Sequence, residues 1–285
     1  MCRQGTASPL STRTVLWVSK GKTVLYPTLV DFGLFRIPTY VVCLFLAILI
    51  IASVSGGEAR RLGLPVARFY DMVFFMSIAA LAGSYLLFVA FHHQAYLADP
   101  WRFLNVFRGG LVYYGGLVGA LAVACFYPGR HGFSWRAGMD ALALGLPLGL
   151  AIGRLGCFSA GCCYGRPSDL PWAVSYPLRR FGVVLPLHPT QLYEALLMLL
   201  VFGVVYALRR RKRFDGELMV IYLFLASWAR YGVEFFRSPN DYRGPDFWGM
   251  PLTQIFALFL ALTSGGLWWW WRRHVTRKVA AKLTA

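Results

Sequence analysis

Stretches of about twenty predominantly apolar residues recur along this chain, separated by short connectors rich in Arg, Lys, Gly and Pro. A helix of that length crosses the hydrocarbon core of a bilayer, and it satisfies its own backbone polar groups where no water is available. The pattern predicts seven spans, approximately over 38–56, 70–92, 111–127, 137–157, 190–208, 216–236 and 252–271. Composition agrees, because only 14% of residues are charged while 58% are hydrophobic, whereas soluble domains carry about 25% charged residues. The expected fold class is therefore an all-α polytopic membrane protein. Evenly spaced spans argue for one membrane domain over 31–272, preceded by an N-terminal arm (1–30) and followed by a basic cytoplasmic tail (273–285). Residues 1–22 are polar and lack the apolar centre of a signal peptide.

The net charge of +17 raises nucleic acid as a partner, but the charges fall in clusters between apolar runs. That is the distribution of cytoplasmic loops and of contacts with anionic headgroups. No basic face with interleaved aromatics is present, so no nucleic-acid partner is expected. The sharpest clusters are Arg209-Arg210-Arg211-Lys212-Arg213 and Arg272-Arg273 after the Trp268–Trp271 run. The positive-inside rule puts these in the cytoplasm. The N-terminus is then outside, the C-terminus inside, and the segment 158–189 lies at the outer face, a compartment that in a bacterium permits disulfides.

Glycines mark the third and fourth spans: Gly109-Gly110, Gly115-Gly116 and Gly119 in or near one, and Gly145, Gly149 and Gly153 with Pro147 in the other. In the third span they predict close helix contact or a bent, site-lining helix, and in the fourth an irregular, tightly packed helix.

Three polar groups interrupt the apolar spans. The first is GRLGCFSAGCCYGR, Gly153–Arg166, with Arg154, Cys157, Cys162, Cys163 and Gly165. The second is HPTQLYEA, His188–Ala195, and the third is Arg230, Glu234 and Arg237, which share one helix face at i, i+4 and i+7. Ionisable residues within spans are costly and are functional candidates for that reason. Arg154 has no acid within four residues on its own helix, so its partner must come from another helix or from a ligand. Two arginines on separate spans near the outer face could grip one phosphate between them. For Arg230 and Glu234 the plainer account is an ion pair that neutralises itself. For His188-Pro189 the plainer account is helix initiation, with Gln191 and Glu194 capping nearby amides.

These residues carry a resemblance. GRxG…YGR, HPTQLYEA and RYGVEFFR (Arg230–Arg237) resemble, in order and spacing, the signature blocks of the bacterial prolipoprotein diacylglyceryl transferase family. Tyr40, the block Gly109–Gly119 and MPLTQ (Met250–Gln254) fit the same pattern, so the likeness extends over about residues 30 to 272. The resemblance implies transfer of a diacylglyceryl group from phosphatidylglycerol, or a similar anionic phospholipid, to the cysteine thiol of a lipobox-bearing prolipoprotein. It implies no cofactor. Carried over by position, Arg154 and Arg230 are the essential arginines and Glu234 the accompanying acid. Gly165, Tyr40, Gly115 and Gly116 belong to phospholipid binding with the arginines, while His188, Gln191, Tyr193, Glu194 and Arg237 are supporting residues.

Departures fall on the acceptor side. Where the family has a histidine proposed to serve the thiol, this chain has Tyr114; where it has an asparagine and an acid, it has Cys157 and Cys162. Tyrosine is a poor base unless nearby cations depress its reference pKa of about 10. Tyr114, Cys157 and Cys162 join the candidate catalytic set on position. The cysteines admit several roles: buried apolar residues, a Cys157–Cys162 disulfide, or a nucleophile. As zinc ligands, three thiols with two adjacent are an awkward set on spacing alone, so no metal is expected. A divergent paralogue with another acceptor, a membrane thiol oxidoreductase and a lipid-binding scaffold remain alternatives.

Overall fold

The computed structural model of the chain describes residues 28–31, 36–99, 112–178, 183–238, 246–247 and 249–283. Arg102, Arg108, Gly109, Gly110, Arg179, Arg180, Arg243 and residues 1–27 of the expected N-terminal arm lie outside these. Strands β1 (Thr28–Asp31) and β2 (Arg36–Pro38) lead into α1 (Thr39–Arg61), α2 (Val66–Phe91), the short α3 (His93–Ala98), α4 (Tyr113–Arg130) and α5 (Trp135–Ala160). A hairpin of β3 (Val174–Leu178) and β4 (Val183–Leu187) precedes α6 (Thr190–Leu208) and α7 (Glu217–Glu234). A two-residue pair, β5 (Asp246–Phe247) and β6 (Met250–Pro251), precedes α8 (Leu252–Leu283).

Seven long helices thus sit where the apolar runs predict them. Five are long and apolar enough to cross a membrane: α1, α2, α5, α6 and Leu252–Val275 of α8. The other two, α4 and α7, have 18 residues each, and α7 carries Glu217, Arg230 and Glu234. The chain is an all-α polytopic membrane protein. Its outward faces agree: Phe45, Leu200, Phe259 and Leu262 are each more than 60% exposed, which suits lipid and not water. Pro147 sits inside an uninterrupted α5, so the irregularity expected of that helix does not appear. The last helix runs on to Leu283 through the basic tail.

Two compact units divide the described residues. One is Gly56–Ala141; the other takes the described parts of Thr12–Ser55 and Leu142–Ala285. In the first, α2 and α4 pack through small residues. A Cβ on Gly115 would fall on the carbonyl oxygen of Gly83, and Leu87 would lie 2.8 Å away. Such closeness matters in lipid, where apolar burial alone gives little and backbone approach supplies the packing. Tyr114 stands beside this seam and is 43% exposed. Glu58 and Arg61 pair one turn apart, Nε to Oε2 at 2.9 Å.

In the second unit, α5, α6 and α7 enclose a core of Leu144, Ala151, Ala195, Met198, Val205 and Leu218. The antiparallel hairpin pairs Val174 with Leu187 and Tyr176 with Leu185. Val174, Tyr176 and Leu187 form a small core with Phe158 and Tyr164. This layer covers the end of α5 that carries the first polar group.

Candidate active site

Helix α5 ends where the chain turns left-handed: Gly161 has φ 67° and Cys163 has φ 62°. Glycine at a helix end adopts this conformation freely, whereas for a cysteine it costs about 1–2 kcal/mol. Two residues at the start of α6 hold the turn. Thr190 Oγ1 donates to the Cys163 carbonyl at 2.7 Å, and Gln191 Nε2 donates to the Cys162 carbonyl at 2.5 Å. The buried Tyr176 hydroxyl donates to Gln191 Oε1 at 3.2 Å, and burial pushes its pKa up, keeping it a neutral donor.

Gly165 lies where a side chain cannot fit. A Cβ there would collide with the Phe236 carbonyl oxygen and stand 2.6 Å from the His188 Cβ. Its N–H donates to the His188 carbonyl at 2.8 Å, and it bridges to Arg237. Arg166 extends the strap, its backbone N–H donating to the Phe236 carbonyl at 2.9 Å and its Nε to the Arg237 carbonyl at 3.1 Å. His188 Nδ1 and the Tyr193 hydroxyl are 3.1 Å apart, and Trp172 Nε1 donates to the same hydroxyl at 2.8 Å.

At the centre is a network of two arginines and two glutamates. Arg154 on α5 reaches Glu194 Oε1 through Nη2 at 2.8 Å. Arg230 on α7 reaches Glu194 Oε2 at 3.2 Å and Glu234 Oε2 at 2.8 Å. Thr253 at the start of α8 donates to Glu234 Oε1 at 3.1 Å. The Arg230–Glu234 pair is therefore present, but as one arm of a larger network. Glu194 holds both guanidiniums, one on each oxygen. Arg154 Nε is buried with no hydrogen-bond partner among the described residues, leaving a charged donor unmet beside the pair. A cavity of about 190 Å³ adjoins Glu234 and is lined also by Arg166, Tyr231, Met250 and Gln254.

The cysteines gather next to these charges. The Sγ atoms of Cys157, Cys162 and Cys163 all lie within 4.8 Å of one another, with Cys162 and Cys163 at 3.8 Å. All three are free thiols, so the disulfide alternative is not what the structure holds. Hydrogen bonding with Cys157 and Cys162, aided by the Arg237 and Arg154 charges, holds the Cys163 thiol well below its usual range against the opposing effect of burial.

The fold thus brings together Arg154, Arg230, Glu194 and Glu234, with the three cysteines alongside and Gly165, His188, Gln191, Tyr193 and Arg237 in the supporting frame. Tyr40 joins through α1, its ring 3.3 Å from where a Cβ on Gly156 would lie. Tyr114, Gly115 and Gly116 belong to the other unit, where the glycines serve the α2–α4 seam.

One expectation fails. Neither Gln191 nor Glu194 caps α6: the residue at its N-cap is Pro189, with no side-chain cap bond. Both side chains are drawn instead to partners on other elements, where buried carbonyls and cations need them more than a helix end does. The sequence held a signal for the shared acid, since Glu194 has no cation on its own span just as Arg154 has no acid. Thr190, Tyr176 and Thr253 carried none, because an isolated hydroxyl residue says nothing about its partner.

Comparison with known proteins agrees with this geometry. Three phosphatidylglycerol–prolipoprotein diacylglyceryl transferases are similar to the chain. That of Bordetella parapertussis is 32% identical over 209 residues, 73% of this chain and 79% of the relative. That of Pseudomonas putida is 33% identical over 214 residues, 74% and 80%. That of Solidesulfovibrio magneticus is 35% identical over 205 residues, 71% and 77%. The family profile described as prolipoprotein diacylglyceryl transferase matches residues 27–270, and with the arginine network standing on the matched blocks, this chain belongs to that family.

Proposed function

We propose that the chain transfers a diacylglyceryl group from phosphatidylglycerol to the cysteine thiol of a prolipoprotein at the outer face of a bacterial inner membrane. The observation that carries this reading is the convergence of Arg154 and Arg230, from separate helices, on the two oxygens of one carboxylate. A pair of cations spaced to hold two oxygens of one anion is equally spaced for two oxygens of a phosphate. The unmet Arg154 Nε–H adds a donor that a bound headgroup would satisfy.

Displacement at the glycerol carbon makes a phosphate monoester the leaving group. The acceptor sulfur forms the new S–C bond, the C–O bond breaks, and its electron pair moves onto a phosphate oxygen. Arg154 and Arg230 stabilise that developing charge, and they do so without reorganisation because Glu194 and Glu234 already hold them in place. Gly165, Arg166 and Arg237 position the strap beside the headgroup, and Tyr40 supports α5. The acceptor's thiol gives up its proton to water as the thiolate forms. The thiol cluster does not itself carry the lipid, since a thioether is too poor a leaving group to pass it on.

Orientation follows from charge. Arg209 lies 3.6 Å from the Tyr206 ring centroid, and Arg273 lies 3.7 Å from that of Trp269. Aromatics and cations at these ends form the belt expected at a cytoplasmic boundary, leaving the arginine network toward the outer leaflet. A thiol oxidoreductase would leave that network without a task.

The test is expression in a conditional strain depleted of its own diacylglyceryl transferase, with lipoprotein mass measured directly. Rescue with a diacylglyceryl mass increment is expected. A stably inserted chain that neither rescues growth nor transfers labelled glycerolipid in purified form overturns the reading.

A further inference from the structure

Position along the chain makes Cys157, Cys162 and Cys163 an unpromising ligand set, but the fold removes the difficulty. The left-handed Cys163 swings the second of two adjacent thiols back toward the first, and all three sulfurs come within 4.8 Å of one another. Sulfurs on a tetrahedral zinc lie about 3.8 Å apart, given a Zn–S bond of about 2.3 Å. Cys162 and Cys163 already stand at 3.8 Å. The turn is braced from behind, as ligand-bearing segments are, with Thr190 and Gln191 tying the Cys163 and Cys162 carbonyls to α6. Three thiolates on a divalent ion leave a net negative charge, and Arg154 and Arg237 are the cations within electrostatic reach of it.

We propose that Cys157, Cys162 and Cys163 bind a thiophilic divalent cation of the zinc class as three of four tetrahedral ligands, and that the fourth is the acceptor's cysteine sulfur. The proposal rests on the transferase reading and deepens it. The reaction needs a thiolate at neutral pH, and coordination to such an ion deprotonates a thiol outright. Three anionic sulfur ligands keep the metal from withdrawing so much charge that the fourth sulfur loses its nucleophilicity. The proton leaves to water on coordination. The sulfur then attacks the glycerol carbon as the C–O bond breaks toward Arg154 and Arg230. This supplies the activation that Tyr114, a poor base, does not.

The test is anaerobic titration of the reduced, detergent-purified full-length chain with Cd²⁺, following sulfur-to-cadmium charge-transfer absorption. Saturation at one ion per chain is expected in the wild type and in Cys125→Ser, and its loss in the triple variant Cys157→Ser, Cys162→Ser, Cys163→Ser. A lipobox peptide raises the plateau by about a third as three thiolates become four, and the same peptide with serine for cysteine leaves it flat. X-ray absorption on the zinc-loaded wild type, which needs no variant, gives sulfur neighbours at about 2.3 Å. The site is overturned if no one-to-one band forms, if the band survives the triple substitution, or if zinc shows only oxygen and nitrogen neighbours. A plateau indifferent to the cysteine peptide overturns the fourth-ligand role. Failure here is separable from failure of the transferase reading. A chain that transfers lipid undiminished under chelator and shows no cadmium band loses only the metal. A chain with the band and no transfer loses only the transferase.

Discussion

Two glutamates in the same unit are almost equally buried, Glu194 at 4% exposure and Glu217 at 5%, and they do opposite things. Glu217 opens α7, where a carboxylate suits the helix dipole. Its oxygens accept from the Arg213 backbone N–H at 2.5 Å and the Trp268 indole at 3.1 Å. Each of its two oxygens has a donor from a neighbouring element. Glu194 instead sits between two arginines whose donors outnumber its oxygens, one of them buried and unmet. Equal burial therefore says nothing about role. What separates a structural carboxylate from one that holds a site ready is whether its partners are satisfied without a ligand.

Removing each acid tests that contrast most severely. Glu194→Ala leaves two partly buried guanidiniums without their shared anion and should cost about 3–5 kcal/mol. Glu217→Ala should cost about 1–3 kcal/mol. Unfolding titrations in detergent, with transfer measured per folded molecule, check both. Unchanged transfer in the Glu194 variant breaks the comparison, as does abolished transfer in the Glu217 variant. Next in size, Arg154→Ala should lower transfer of labelled glycerolipid about 10²–10³-fold, the usual effect of losing one preorganised donor at developing charge. Wild-type rates would remove the site from the arginines. Gly165→Ala should lower transfer about 10²-fold by shifting the strap that carries Arg166 beside the network, with little change in phosphatidylglycerol uptake by folded protein. Full activity there would show that the strap yields without consequence. Smallest of all, Tyr193→Phe removes the hydroxyl shared by His188 and Trp172 and should cost about 0.5–1.5 kcal/mol, leaving transfer within a few-fold. A collapse of activity would move His188 from support into the chemistry.

Much of the fold was legible because a bilayer admits few solutions: an apolar run of the right length has to be a helix, and the spans begin and end near where hydropathy changes. The site was legible in part. Arg154 declared itself by lacking an acid on its own helix, and Arg230 and Glu234 by their spacing. Glu194 and Gln191 misled, since near Pro189 they read as caps, and a helix end competes poorly with a charged guanidinium or a backbone carbonyl for the same side chain.

Hydrophobic length and charge placement, both local properties of the chain, determined that this is a helical membrane protein with polar groups embedded near one end of its spans. Which of those groups share a partner was decided only in three dimensions. Glu194 meets Arg154 across 40 residues and Arg230 across 36, and three cysteines of awkward spacing converge because one of them turns left-handed. Electrostatic pairing and ligand geometry depend on distance through space, and a linear sequence carries that distance only after helices pack.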